Sequence, residues 1–449
     1  MTSPNAQDWL TANPNVEAIT VALCDINGVL RGKRIPLSQL DKLLSGGLRL
    51  PQSVCTLDIW GHDIEDSELV FDSGDADGIC NVTERGLIPR LDTENPSAMF
   101  QVMLSLEDGS PVKTDPRQAL ASVVKRYQDK GLTAVVATEL EFYLTAVTKG
   151  VAHAPVLPKA QLPTTMGNVL SVAELDALSA FLDDVYGACR ARGIPADAAT
   201  SEGGAGQFEI NLLHTDDPMK AADDALLFKN LVREIANMHG YCATFMAKPF
   251  GDQPGSGMHV HFSLIDEDGN NIFDNGTAKG SDELRFAVAG LLDAMPESTL
   301  IFAPHQNSYR RMRPNSHAPT TATWGYENRT CAIRIPGGSN AARRIEHRVA
   351  GADTNPYLVL AAILGAALNG IEAQVEPPAP VKGSAYDADA PSLPLDWLTS
   401  IMTFSESTIM NNVLSAQLVR LFAQAKHQEL QYFLSIVPET EYHAYLETV

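Results

Sequence analysis

Residues 255–264 read GSGMHVHFSL. A glycine turn runs into a period-2 stretch. His259, His261 and Ser263 share one face of a strand, and Met258, Val260, Phe262 and Leu264 share the other. Three more segments carry the same signature. TELEFYL groups Glu139 with Glu141, GQFEINL groups Gln207, Glu209 and Asn211, and RRIEHRV groups Arg344, Glu346 and Arg348. Any one of them alone reads as an amphipathic strand with a wet outer face. Together they do not, because solvent-facing strands favour Lys, Thr and mixed charges. A curved sheet whose polar face lines a cavity accounts for all four.

Carboxylates crowded into one cavity must be protonated or neutralised by cations. Glu139, Glu141, Glu202, Glu209 and Glu346 with a histidine make an oxygen-rich donor set. Such a set favours Mg²⁺ or Mn²⁺ over zinc or copper. Arg311, Arg329, Arg334, Arg344 and Arg348 can each fork to two oxygens of a carboxylate or phosphate. Divalent cations with arginines are the working parts of phosphoryl transfer. The chain has no GxxxxGK[ST] loop and no GxGxxG after a strand, so a nucleotide would be held by another fold.

The elements that must position these groups can be read around them. A chain of 449 residues exceeds one simple core. Residues 1–108 read as a small α+β unit and 109–449 as a larger unit of mixed strands and helices. In the first, VEAITVALCDINGVLRGKRIP is a hairpin around Asn27-Gly28. LSQLDKLLSGG is a short helix with Ser38 as its N-cap. AMFQVMLSLEDG is a closing strand. DPRQALASVVKRYQDKG opens the second unit as a capped helix. PYLVLAAILGAALNGIEA is a buried helix rather than a membrane span. Residues 374–396, rich in Pro, Ala and Asp, form a surface loop, and the remainder is helical.

Composition narrows the function. Net charge is −22, and no Lys/Arg cluster supplies the basic footprint of a nucleic-acid binder. An acidic surface repels anionic lipid and tolerates cationic small molecules. Six cysteines lie scattered without CxxC spacing, as in a reduced cytoplasmic protein. The N-terminus MTSPNAQDWL has no signal-peptide pattern.

In their order and spacing, CDINGVLRGKRIP, TELEFYL, SEGGAGQFEINL, KPFGDQPGSGMHVHFSL, NSYRRMRPNSHAP, ENRTCAIRIP and RRIEHRVAGADTNPYL resemble the glutamine synthetase family over nearly the whole chain. The resemblance implies an α+β fold: an N-terminal β-grasp domain, then a catalytic domain of curved antiparallel sheet with helices. It implies a homo-oligomeric ring, a dodecamer of two stacked hexamers, with active sites between neighbours. ATP and two or three Mg²⁺ or Mn²⁺ per site are implied. Glu141, Glu202 and Glu209 would hold one metal, and Glu139, His259 and Glu346 the second. His261, Ser263, Arg334 and Arg344 would contact the nucleotide. Gly255, Arg311 and Arg348 would hold glutamate. Arg329, Arg334 and Arg348 would hold the transferring phosphoryl group and the acyl phosphate.

Three positions depart from an ammonia-using member. The flap glutamate is replaced by His317, whose imidazole could take a proton from a bound amine. The tyrosine of the ammonium site falls on Val169. The segment lent by a neighbouring subunit becomes LDIWGHDIEDSELVF, which offers Asp58, Trp60 and Asp63, with Glu65 and Asp66 close by. An aromatic face among carboxylates suits an alkylammonium chain. The pattern looks like the γ-glutamylpolyamine synthetase branch, whose members glutamylate putrescine. The alternatives are a γ-glutamyl ligase for a monoamine or other small amine, an ammonia-dependent glutamine synthetase, and an inactive structural ring. Tyr386 only partly matches the family's adenylylation segment, and adenylylation is not expected.

Overall fold

The structure is a computed structural model that describes residues 6–91, 96–158, 167–314 and 316–449. Asn315, in the flap segment NSHAP, lies outside them. Among the described residues two sheets form. The first has five strands, ordered Leu30–Pro36, Ala18–Cys24, Ser97–Ser105, Asp77–Arg90, Arg49–Pro51. Ala18–Cys24 and Ser97–Ser105 run parallel and the other pairs antiparallel. Every strand of this sheet falls within the first unit read from the sequence.

Strand Ala18–Cys24 shows how this sheet is used. Ile19, Val21 and Leu23 pack into a local core with Leu43, Phe100, Val102 and Leu104. Ala22 and Cys24, on the opposite face, belong to the main core of the molecule. The strand is buried on both sides, so its sequence is nearly all apolar rather than alternating. The hairpin forms as expected, but its loop is wider than two residues. Asp25 folds it by accepting from the amides of Asn27 and Val29 and pairing with Arg31 at 2.9 Å. One expectation fails: Ser38 caps nothing. It sits inside a 3₁₀ turn, Leu37–Gln39, that precedes helix Leu40–Leu44, and neither element has a side-chain cap. Pro36, ahead of that turn, has no N–H and a fixed φ, and the chain enters the turn through it.

The second sheet carries the four Glu, His and Arg stretches singled out in the sequence. Its main path runs Trp324–Tyr326, Ile333–Ile335, Ile345–His347, Met258–Ile265, Thr133–Thr148, Gln207–Thr215, Ala196–Ser201. Helix Pro116–Gln128 starts from Asp115, which accepts from the Arg117 amide. Helix Pro218–Met238 is capped in the same way by Asp217, and Pro356–Ala373 by Asn355. Pro356–Ala373 is long and apolar enough to cross a membrane, but 78% of it is buried inside the protein. Residues 374–396 are mostly irregular, and helices Trp397–Ser405, Thr408–Val413, Ala416–Ser435 and Glu439–Tyr445 complete the chain.

Candidate active site

Strand register assembles the site. His259 lies directly opposite Glu139, and Glu139 opposite Asn211. Glu141 faces Glu209. His261 faces Glu346, and Glu346 faces Arg334. Facing residues on a pleated sheet hold their Cβ atoms about 5 Å apart on the same side. Alternation in the sequence thereby becomes a two-dimensional patch of ligands.

Within the patch Glu139 is the hub. It bonds to His259 Nδ1 at 3.1 Å and to His261 Nε2 at 2.9 Å. Glu346 is held by Arg334 Nη1 at 2.7 Å and by Arg348 Nη1. Two sets of donor atoms come close enough to share a cation: Glu139, His261 and Glu346, and Glu139, Glu209 and His259. This differs from the grouping the resemblance implies. His261 joins a ligand set, while Glu141 and Glu202 stand outside both. The register explains this, because His261 sits one pleat along from His259 and reaches the same carboxylate.

The carboxylates divide electrostatically. Burial opposes ionisation of Glu139, but hydrogen bonds from His259 and His261 outweigh it and hold its pKa below the ordinary range. Burial also opposes ionisation of Glu346, yet Arg348, His259, His261 and Arg334 bring its pKa down to about 2. For Glu202 and Glu209 the neighbouring cations, Arg329 and Arg348 respectively, do not outweigh burial and the surrounding carboxylates. Burial, then Glu141 and Glu139, pushes Glu202 up to about 7. Burial, then Glu139, Glu141 and Glu202, pushes Glu209 well above its ordinary value. A pair of carboxylates driven toward protonation in an oxygen-rich patch fits added positive charge, and its donor chemistry fits a hard divalent cation.

The glutamate candidates also meet. Arg311 is buried and donates to Val349 O at 2.8 Å. A Cβ on Gly255 would lie 2.7 Å from Arg311 Cγ, and one on Gly257 2.8 Å from its Nη2. The glycines are needed for this close approach. Their loop is pinned by Gln207 to Gly255 O at 3.0 Å, by Tyr143 to Pro254 O at 2.7 Å, and by the Gly257 amide to Glu141 at 2.7 Å. A cavity of about 910 Å³ opens beside the patch, lined by Glu139, Asn211, His261, Ser263 and Arg344 among others. Arg344 reaches His261 Nδ1 at 3.3 Å. Arg334 faces Glu346 instead and does not line this cavity. Arg329 is exposed and near enough to Glu202 to favour its ionised form.

The flap position and the loop around Trp60 are placed differently. His317 is exposed, with a left-handed backbone at φ 61°, a conformation found for few non-glycine residues and enriched at functional sites. Its amide bonds to the Tyr386 hydroxyl, which also donates to Ala318 O at 3.2 Å. Val169 is exposed and packs near Gly203, beside Glu202. Asp58 is 1% exposed. One of its oxygens accepts from the Trp60 and His62 amides and the other from Gln428. Asp58 therefore shapes the loop, while Trp60 and Asp63 are exposed. A second cavity, about 1000 Å³, lies between this loop and the C-terminal helices. None of Glu139, Glu141, Glu202, Glu209, His259 or Glu346 lines it. Period-2 spacing puts Asn211 on the polar face with Glu209 but gives it no role, and among the described residues its buried Oδ1 has no hydrogen-bond partner. The sequence reading left out the support that Tyr386 gives the flap, for which the sequence carries no signal.

Residues 113–445 match the glutamine synthetase catalytic-domain family. The chain belongs to the glutamine synthetase family. It is 38% identical to the gamma-glutamylputrescine synthetase of Escherichia coli, over 96% of this chain and 92% of that one. It is 32% identical to a glutamate–isopropylamine ligase from a Pseudomonas species, over 97% and 96%. With the gamma-glutamylethanolamide synthetase of Streptomyces coelicolor it shares 33% identity, over 96% and 93%. A solved structure of GmaS with ADP superposes over the full length of both chains, with a TM-score of 0.85 at 26% identity. The protein is thus a ligase of the glutamine synthetase family, with that family's α+β fold. Enzymes of this family use ATP and divalent metals, and Glu139, Glu209, His259, His261 and Glu346 are the groups here that fit a metal.

Proposed function

We propose that this protein joins the γ-carboxylate of glutamate to a small alkyl amine, with cleavage of ATP to ADP and phosphate, and that the amine is a polyamine such as putrescine. The observation that carries the reaction class is the ladder of Glu, His and Arg across five adjacent strands. When bound, divalent cations would supply charge neutralisation at the phosphates. The chain's own residues do the rest. Arg311 and the Gly255 loop hold glutamate. A γ-carboxylate oxygen attacks the terminal phosphorus of ATP, and ADP leaves. Arg329, Arg334 and Arg348 stabilise the charge on the phosphoryl oxygens. The amine nitrogen then attacks the acyl carbon, phosphate departs, and His317 takes the proton released from nitrogen.

The amine assignment is supported by three relatives named for amine ligation and by the exposed Trp60 and Asp63. An indole face beside a carboxylate favours an alkylammonium. Because this loop stands apart from its own chain's carboxylates, the reading includes a ring in which the loop serves a neighbour's site. Six unpaired cysteines are in keeping with a cytoplasmic setting. The test is ATP- and glutamate-dependent phosphate release with putrescine, spermidine, isopropylamine, ethanolamine and ammonia. Mass spectrometry would identify the adduct in each mixture. Fast turnover with a diamine and little with ammonia is expected. Turnover with ammonia alone would sink the amine reading.

A further inference from the structure

The loop carrying Trp60 and Asp63 has little regular structure of its own, yet it is tightly held. Helix Ala416–Ser435, more than three hundred residues away in sequence, holds it along one stripe. The Glu65 amide donates to Gln428 Oε1 at 2.9 Å. Gln428 Nε2 donates to Asp58 Oδ2 at 3.0 Å and to Asp63 O at 3.1 Å. The Ile59 amide donates to Glu429 Oε1 at 2.9 Å. One turn on, Tyr432 sets its ring 4.3 Å from that of Trp60, and Phe433 lies 5.8 Å away. Toward the other end of the helix, Gln417 donates to Glu68 at 2.8 Å, and Arg420 pairs with the same carboxylate. Positions 417, 420, 428 and 432 follow the helical repeat and face one way.

The helix is anchored in turn. Buried Lys426 bonds to Glu429 at 3.0 Å and also to Asn27 at the tip of the first hairpin. Asn27 Nδ2 donates to Leu57 O at 2.8 Å, at the root of the loop. Hairpin, loop and helix thus form one closed network. Gln428 alone bonds to three residues of the loop, as donor at both ends of Asp58–Asp63 and as acceptor at Glu65.

We propose that helix Ala416–Ser435 is the positioning element of the amine-selecting loop, with Gln428 as its principal positioning residue. The inference rests on the reading that this loop faces the amine. Gln428 touches no substrate in this account. It acts by fixing where Trp60 and Asp63 stand, and a shift of an ångström at a substrate-positioning group costs up to about a hundredfold.

The experiment uses the full-length protein and two nucleophiles. Putrescine needs the loop. Hydroxylamine is small and intercepts the same activated acyl group to give a hydroxamate. For Gln428→Ala, the KM for putrescine should rise about tenfold, while hydroxamate formation stays within about twofold of the wild type. Gln428→Glu should act in the same direction, because it sets a carboxylate against Asp58. Adding Asp58→Asn to that variant restores a donor–acceptor pair and should recover part of the putrescine KM. Equal losses with both nucleophiles, or a lower Tm with an unchanged putrescine KM, would overturn the proposal. Trp60→Ala with Asp63→Ala separates it from the reading beneath it. If that pair leaves the putrescine KM unchanged, the amine role of the loop fails. If the pair raises it and Gln428→Ala does not, only the positioning role fails.

Discussion

Two regions of this protein fix their polar groups by opposite means. The Glu–His–Arg patch is built on five neighbouring strands. Each side chain stands where backbone register puts it, and Glu139, Glu209, His259, His261 and Glu346 meet because their strands pair. The loop around Trp60 has no ladder. Its position comes from side chains of a helix that the sequence places at the far end of the chain. The first arrangement resists displacement and suits the fixed geometry of phosphoryl transfer. The second can change without disturbing the sheet, so under the proposed amine role of the loop substrate choice can change there while the patch stays in place.

The sharpest way to break this contrast is at its hub. Glu139→Gln should lower ATP- and glutamate-dependent phosphate release by about a thousandfold, whichever nucleophile is present, since both ligand sets lose a carboxylate. A smaller and selective effect is expected at the flap. His317→Ala should slow amide formation about a hundredfold while glutamate still drives ADP formation. Loss of nucleotide binding instead would place His317 with the phosphates.

A third prediction concerns charge. Glu202 and Glu209 have folded pKa values raised above their ordinary value of 4.5. Their contribution to stability is therefore present below about pH 4.5 and is lost as pH rises through 7 and beyond. In a chelator, Tm should fall between pH 6 and pH 9. Added Mg²⁺ should raise Tm more at pH 9 than at pH 6, because the cation competes with protons for these carboxylates. Equal Mg²⁺ effects at both pH values would contradict the fit of a cation to this pair.

The smallest expected effect is in the N-terminal unit. Ser38→Ala should change stability by less than about 0.5 kcal/mol, because the hydroxyl caps nothing. Asp115→Ala should cost about 1–2 kcal/mol, because Asp115 caps a helix and also accepts from the Leu104 amide. Denaturant midpoints would separate the two.

Legibility followed the same division. Period-2 spacing was enough to place Glu139, Glu141, Glu209, His259, His261 and Glu346 on one face, because in a sheet alternation is geometry. It could not say which partner each would meet. That depends on register between strands far apart in sequence, and His261 consequently stands among the metal-fitting groups as well as on the cavity beside them. Asp58 could be recognised as acidic but not as buried, since the amides it accepts belong to its own turn and Gln428 lies in a distant helix. Ser38 was misplaced by local logic, because a serine before a helix caps it only if the chain enters the helix there.

The most direct test of the central claim uses mixed oligomers. Protomers with Glu139→Gln keep the loop and lose the patch. Protomers with Trp60→Ala and Asp63→Ala keep the patch and lose the loop. The two are unfolded together, reassembled, and assayed for γ-glutamylputrescine at low putrescine. If the loop of one chain serves the patch of another, mixed assemblies will contain sites with both parts intact, and activity will exceed the sum of the two parents. Activity no greater than that sum would show that the loop and the patch do not work across chains.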